Sequence, residues 1–501
     1  MILCAVVAPG MLTVAETKAD EQPGLARPNI VFVLADDFGW GDTSSNNPEA
    51  GFRTPNIDRL AREGIRFTNA YTPHSVCTPM RYALLTGRYA WRTWMREGVL
   101  EGYVQSLIPP TRLTLASMLK KHGYSTAVLG KWHLGLDWQP VEGDPGDFHW
   151  GSQVRGGNAM AQTSLRVDHS KPITVGPNSL GFDTSFITPA NNQLPPIFLR
   201  DNHVDGSPQR DKNGMMRDPR VERDKVDDIY VAEAIAFIEK HSAKQDGSPF
   251  FIYLPLNGPH SVTLPPERFK GKSGVNAGAD KCLWVDESVG KILAVLDEYD
   301  LSSNTLVFFT SDNGPVRYRT LQADKPHQPA GPYRGYKTDA WEGGYRVPFL
   351  ARWPEHIPAL SLCDQLFCMT DVFATFAALV GHELPEWAGE DSFAQLSSLL
   401  GRSPAEEVRK SMVYQSYTGV LSMRKDRWKL ILDTKGPGGH YTTEPVIMGP
   451  PWEIMKSRTG QLYDLVADPY ETTDIYDSHP EVVTELKALL QKQIWAGRSR
   501  P

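Results

Sequence analysis

The chain has 501 residues, 41% of them hydrophobic, with 52 basic and 59 acidic side chains and a net charge of −7. That length buries a substantial core and accommodates two domains, and the 13 Trp argue against a disordered chain. The mildly acidic balance, without a polycationic stretch, excludes the usual profile of a nucleic-acid partner.

In chain order, Met1 to Ala15 is apolar and closes on the small residues Thr13-Val14-Ala15. Residues 1–26 therefore read as a signal peptide and tail lacking a charged n-region, and the protein is expected to be exported, periplasmic or extracellular. The run is short and broken by Pro9 and Gly10, so no membrane span is expected.

Four apolar runs then end in chemically capable residues: "NIVFVLADD" at Asp36 and Asp37, "STAVLGKWH" at Lys131 and His133, "PFFIYLPLNGPH" at His260, and "NTLVFFTSDNG" at Asp312 and Asn313. Continuous apolar strands suit a sheet buried on both faces. Helical patterns alternate with them. "TPNIDRLAREG" offers Thr54 as N-cap, Pro55 at the first turn, an apolar face of Ile57, Leu60 and Ala61, and a stop at Gly64. "TRLTLASMLKKHG" repeats that grammar, and two longer helices show faces at Val231, Ala234, Ile235 and Ile238, and at Val285, Val289, Ile292 and Leu296.

Alternation predicts an α/β fold with a large, mostly parallel sheet flanked by helices, over residues 27–400. A long loop is expected from Glu142 to Arg220, shaping a pocket. Beyond residue 400 the pattern changes to two strands around a Lys-Asp turn in "VLSMRKDRWKLIL", a strand in "QLYDLVADPYETTDI", and a closing helix with Val483, Leu486, Leu490 and Ile494 inward. This predicts a smaller α+β unit with a short antiparallel sheet over 401–501.

In open parallel sheets ligands bind beyond the carboxyl ends of the strands, so the four strand ends converge on one rim. Each residue alone has an ordinary reading: Asp-Asp as a turn or cap, "SDNG" as a turn, Cys77 as buried filler. Together, Asp36, Asp37, Asp312 and Asn313 are hard oxygen ligands suited to Ca²⁺ or Mg²⁺ rather than zinc. Lys131, Lys337, Arg81, His133 and His260 add positive charge and proton donors, a receptacle for a tetrahedral oxyanion. The five cysteines show no paired metal spacing. Cys363 and Cys368 are close enough to pair, but buried free thiols are expected.

"CTPMR" followed by "YALLTGR" resembles the Cys-x-Pro-x-Arg signature of the type I sulfatases of the alkaline phosphatase superfamily. "NIVFVLADDFGWGD", "TPNIDRLAREGIRFTNAY", "GKWHLG", "GPH", "SDNG", "RGYKTDAWEGGYRVPF" and "LYDLVADPYE" follow in family order and cover nearly the whole chain. Overall similarity looks closest to arylsulfatase A-like and N-acetylgalactosamine-6-sulfatase-like enzymes. The resemblance implies a sulfuric ester hydrolase in which a maturation enzyme converts Cys77 to Cα-formylglycine before folding. One hydroxyl of its hydrate attacks sulfur, and the other expels sulfate by regenerating the aldehyde.

It further implies that Asp36, Asp37, Asp312, Asn313 and the modified Cys77 hold Ca²⁺, and that Arg81 steadies the hydrate. Lys131 and Lys337 would bind sulfate, His133 would take a proton during sulfate release, and His260 would protonate the leaving alcohol. Position 80, usually Ser or Ala in the family, is Met80 here. A sulfated carbohydrate is the expected substrate, with Arg92 and the loop Asn191 to Pro196 as candidate sugar readers. The alternatives are a phosphate or phosphonate ester hydrolase of the same superfamily, or a non-catalytic sulfated-glycan-binding protein should Cys77 stay a thiol.

Overall fold

The structure is a computed structural model that describes residues 27–143, 157–191, 194–244, 246–260, 264–317, 326–402, 406–432, 438 and 460–501. Residues 1–26, with the expected signal segment, lie outside them. Ten strands form the main sheet: β1 Asn29–Asp36, β2 Ile65–Phe67, β3 Ser125–Lys131, β4 Thr184–Thr188, β5 Leu199–Arg200, β6 His203–Val204, β7 Phe250–Pro259, β8 Thr305–Ser311, β9 Phe349–Arg352 and β10 Ser361–Cys363. Their spatial order is β10-β2-β9-β8-β1-β7-β3-β4-β5-β6. The central strands β8, β1, β7, β3 and β4 run parallel, and antiparallel pairs appear only toward the edges, where β9 joins β8 and β2, and β5 joins β4 and β6.

Along β1 every residue is buried, with Ile30, Phe32 and Leu34 in one core and Val31, Val33 and Ala35 in the other. The first core packs under helices α2 Cys77–Thr86, α3 Leu115–Lys121 and α8 Asp371–Val380, the last preceded by the short helix α7 Glu342–Tyr345. The second packs under α1 Pro55–Glu63, α5 Val226–Ser242 and α6 Ala277–Glu298. Truncating a central residue such as Phe32 to Ala would cost about 3–5 kcal/mol. Close strand approach fixes Gly130 at the end of β3, because a Cβ there would lie 2.1 Å from the Pro255 carbonyl oxygen.

Some local expectations need correction. Thr54 does not cap α1 with its side chain. The carboxylate of Asp286, on α6, accepts the Asn56 and Ile57 N–H groups at 3.0 and 2.8 Å instead. The stretch from Glu142 to Arg220 is not one long loop. Its described part carries α4 Gly157–Arg166, strands β4 to β6, and a small hairpin at Gln209–Arg210 and Met216–Arg217. Cys363 and Cys368 are free and buried, as expected.

The C-terminal strands Ser411–Gln415 (β11), Leu421–Lys425 (β12), Trp428–Leu432 (β13) and Gly460–Asp464 (β14) form an antiparallel sheet. The β12–β13 turn is Asp426-Arg427, one residue beyond the expected Lys-Asp, with Asp426 at φ 50°. Helix α9, Pro480–Ala496, buries Val483, Leu486 and Leu490 against this sheet. The same core includes Tyr71, Tyr89, Trp91 and Tyr345, so the sheet is packed directly on the larger unit.

Candidate active site

The parallel register aligns the carboxyl ends of β8, β1, β7 and β3: Ala35 pairs with Ser311, and Asp36 with Pro259. The residues just beyond them leave the sheet in unusual conformations. Asp37 and His133 have φ of 67° and 59°, and Thr338, after Lys337, has φ 80°. Left-handed backbone at non-glycine residues stores strain, and here it gathers at one rim.

Cys77 opens helix α2, every residue of which is buried, and Arg81 lies one turn further on. Arg81 donates to Asp312 Oδ2 through Nε at 3.2 Å and Nη2 at 2.8 Å, and through Nη1 to the Lys131 carbonyl at 2.9 Å. Lys131 Nζ pairs with Asp36 and donates to Asn191 Oδ1 at 3.0 Å. Lys337 Nζ lies 2.6 Å from Asp37 Oδ1 and 3.7 Å from Cys77 Sγ. Asn313 Nδ2 donates to Asp37 Oδ1 at 2.7 Å, and His260 Nε2 is 3.7 Å from Asp37 Oδ2. His133 Nε2 is 2.8 Å from the Leu100 carbonyl oxygen. All ten residues singled out in the sequence thus stand on one rim.

Three buried carboxylates, Asp36, Asp37 and Asp312, face three cations, Arg81, Lys131 and Lys337. Burial alone pushes Asp36 up, but Lys131, His260, Arg81 and Lys337 outweigh it and hold the carboxyl well below its usual range. Burial, then the neighbouring Asp36, drives Asp312 up to about 7. Burial raises the Cys77 thiol to about 11, so a native cysteine here is no thiolate. Burial and Lys337 lower His260 to about 4. Burial, with Lys131 and Arg81, lowers His133 well below its ordinary value.

Carboxylate oxygens of Asp36, Asp37 and Asp312 lie within 4.8 Å of one another. Asp36 Oδ1 and Asn313 Oδ1 are buried and accept no hydrogen bond among the described residues. Orphaned buried oxygens are costly unless a cation meets them. An all-oxygen donor set of this kind fits a hard divalent ion such as Ca²⁺.

A sequence model of the family described as Sulfatase matches residues 28–382. The chain belongs to the Sulfatase family. It is 34% identical to the N-acetylgalactosamine-6-O-sulfatase of Bacteroides thetaiotaomicron, over 95% of each chain. It is 32% identical to the arylsulfatase A of Bos taurus, over 93% of this chain and 87% of that one. A solved structure from glycosaminoglycan metabolism in Bacteroides thetaiotaomicron superposes with a TM-score of 0.77 at 34% identity, covering 93% of this chain and 99% of that one. The phosphonate monoester hydrolase of Agrobacterium radiobacter, 17% identical with a TM-score of 0.58, shares the fold. This sulfatase is therefore an enzyme of sulfate ester hydrolysis. No helix among its described residues is long and apolar enough to cross a membrane.

One sequence reading changes. Arg92 does not face a sugar site in this sulfatase: Nε and Nη2 donate to Asp391 at 2.9 and 2.8 Å, and Nη1 to the Gln493 carbonyl, tying the larger unit to α9. Met80 is fully buried in the core under α2, so its bulk serves packing. Sequence reasoning missed Asn191 as the second partner of Lys131. It also missed Asp227, whose carboxylate accepts the Asn257 and Gly258 N–H groups at 2.8 Å each and so fixes the turn into His260. No local signal marks Asp227, and Asn191 stands out only as the start of the Asn191 to Pro196 loop.

Proposed function

We propose that this sulfatase hydrolyses a carbohydrate sulfate ester using Cys77 after its conversion to Cα-formylglycine, beside a Ca²⁺ held by Asp36, Asp37, Asp312, Asn313 and the modified Cys77. The observation that carries the reading is Cys77 itself, 3.7 Å from the Lys337 ammonium inside a charge-balanced cluster, yet with its thiol raised by burial. A thiol so disfavoured as a thiolate is a poor nucleophile, whereas a hydrated aldehyde brings a hydroxyl to attack and a second to drive release, with the cation adding positive charge.

The chain's own residues do the rest. Lys131 and Lys337 bind the sulfate oxygens, and Arg81, anchored by Asp312, orients residue 77. A carbonyl only accepts, so His133 Nε2 carries the proton toward Leu100 and Nδ1 carries the lone pair. Nδ1 is buried and has no hydrogen-bond partner among the described residues, which suits a base waiting for a hydroxyl proton. His260, lowered to about 4 and so neutral in the substrate-free site, supplies a proton to the leaving oxygen once the negative charge of the bound sulfate has raised it.

Burial bears on when the proposed maturation enzyme would act. Cys77 is 1% exposed within a wholly buried helix, so an enzyme reading Cys-x-Pro-x-Arg must act before the chain folds. Export through residues 1–26 belongs to the same proposal, and the N-terminus of the secreted protein reads it directly. A 6-O-sulfated N-acetylgalactosamine unit is the first substrate to try, since it is named in a relative aligned over 95% of both chains. Mass spectrometry of the Ser75–Arg81 peptide, alongside turnover of sulfated oligosaccharides and of nitrophenyl sulfate and phosphate, tests the reading. Aldehyde at residue 77 with sulfate-selective turnover is expected. Full turnover by protein carrying only thiol at residue 77 would refute it, as would preference for phosphate.

A further inference from the structure

The block "LYDLVADPYE" ends in a buried acid that the reaction derived above leaves unused. Glu471 is fully buried and sits at φ 56°. It grips both feet of the loop that presents Lys337. At one foot the Glu342 N–H donates to Glu471 Oε2 at 2.6 Å, and at the other Arg334 Nη1 donates to the Glu471 carbonyl oxygen at 2.7 Å. The feet close on each other through the Gly343 N–H and the Arg334 carbonyl, at 2.7 Å. Between them the Thr338 N–H reaches the Ser75 carbonyl at 2.8 Å, and the Tyr417 N–H, just beyond β11, reaches the Thr338 carbonyl at 3.1 Å.

Lys429, on β13, completes the arrangement. Its Nζ is 2.8 Å from Glu471 Oε1 and 3.1 Å from Glu342 Oε1, and all three side chains are fully buried. That ammonium offsets two carboxylates that face each other in a dry site, although burial and then the neighbouring Glu342 still push the Glu471 carboxyl up to about 7. Lys337 lies in the segment between the feet, in irregular backbone with no strand or helix of its own, so its position depends on what holds them.

We propose that Glu471, neutralised by Lys429, is a positioning residue that sets where Lys337 stands beside Cys77, so that the C-terminal sheet fixes part of the sulfate site. This rests on the reading of Lys337 as a sulfate-binding residue. A displacement of about 1 Å at a reacting centre costs about 10²-fold in rate.

The test is a double-mutant cycle in the full, matured chain, with nitrophenyl sulfate as substrate and thermal unfolding recorded for each variant. Glu471→Ala removes the side-chain half of the grip, at the Glu342 N–H and Lys429, and leaves the carbonyl contact to Arg334 in place. Glu471→Gln keeps the shape but turns amide hydrogens toward Lys429, and it carries the cycle should the alanine variant not fold. In the wild-type background kcat/KM is expected to fall about 10–100-fold. In a Lys337→Ala background the same change is expected to cost almost nothing more, since an absent lysine cannot be misplaced. Equal losses in both backgrounds would overturn the proposal and make Glu471 a residue of general stability, as would unchanged kcat/KM in folded Glu471 variants. Full activity of Lys337→Ala alone would overturn it together with the reading of Lys337.

Discussion

Asp312→Asn isolates the buried charge balance on which the site stands. The substitution keeps an oxygen facing the Asp37 N–H but removes the negative charge held by two Arg81 nitrogens at 3.2 and 2.8 Å. Arg81 is wholly buried, and its next carboxylate, Asp36, is 3.8 Å away and already paired with Lys131. One buried cation is left without a partner of its own, a loss of about 3–5 kcal/mol. At about 2.1 cal/mol/K per residue the 501-residue chain has an unfolding entropy of about 1 kcal/mol/K, so Tm should drop by about 3–5 °C. Arg81→Met should cost a similar amount, because it strands Asp312. The double variant removes both charges and should be less destabilised than the sum of the singles by at least 1 kcal/mol or so. Calorimetry in chelator keeps any effect on metal binding out of the comparison, and a pH well above the raised Asp312 value of about 7 keeps that carboxylate charged. Strict additivity of the two changes would refute the pairing argument.

Ca²⁺ at a hundred times its Kd should stabilise the chelated protein by about 2.7 kcal/mol and restore sulfatase activity, and stoichiometric zinc without calcium in active protein would contradict the oxygen site. Because His260 is lowered from 6.5 to about 4, the unfolded chain takes up a proton in that window which the folded chain refuses. Stability should therefore be lost as pH falls from about 6.5 to about 4, and His260→Gln should flatten that slope in urea titrations. Against sugar sulfates His260→Ala should lose about 10²–10⁴ in rate, and far less against nitrophenyl sulfate, whose leaving group needs no proton; equal losses would remove His260 from the acid role.

The parts of the fold legible in the sequence are those with a strong period. β1, β3, β7 and β8 read as strands because each is a continuous apolar run, and α5 and α6 read as helices from their apolar faces. Thr184–Thr188 was missed because five residues among Gly, Pro and Asn carry no usable period. Phe349–Arg352 was missed because four residues behind the polar block "RGYKTDAWEGGY" look like the end of a loop. Asp36, Asp37, Asp312, Asn313, Lys131, His133 and His260 were legible as a site because strand-end placement in a parallel sheet leaves them one rim to share.

What stayed hidden has one physical origin. Loops leaving the carboxyl ends of a parallel sheet have no ladder partner, so their buried N–H groups must find acceptors elsewhere. In this sulfatase remote carboxylates take them in pairs. Asp286 holds Asn56 and Ile57 in the first turn of α1, and Asp227 holds Asn257 and Gly258. Each pairing joins segments that nothing in local composition connects, and a lone acid in a helix reads as solvated charge. Glu471 is the same device with its amide partner 129 residues away. Its distinction is the loop it holds, since that loop carries Lys337, 3.7 Å from Cys77 Sγ. A buried acid of this kind needs a cation beside it, and Lys429 supplies one from a sheet that also buries Arg424, Ser422 and Gln461.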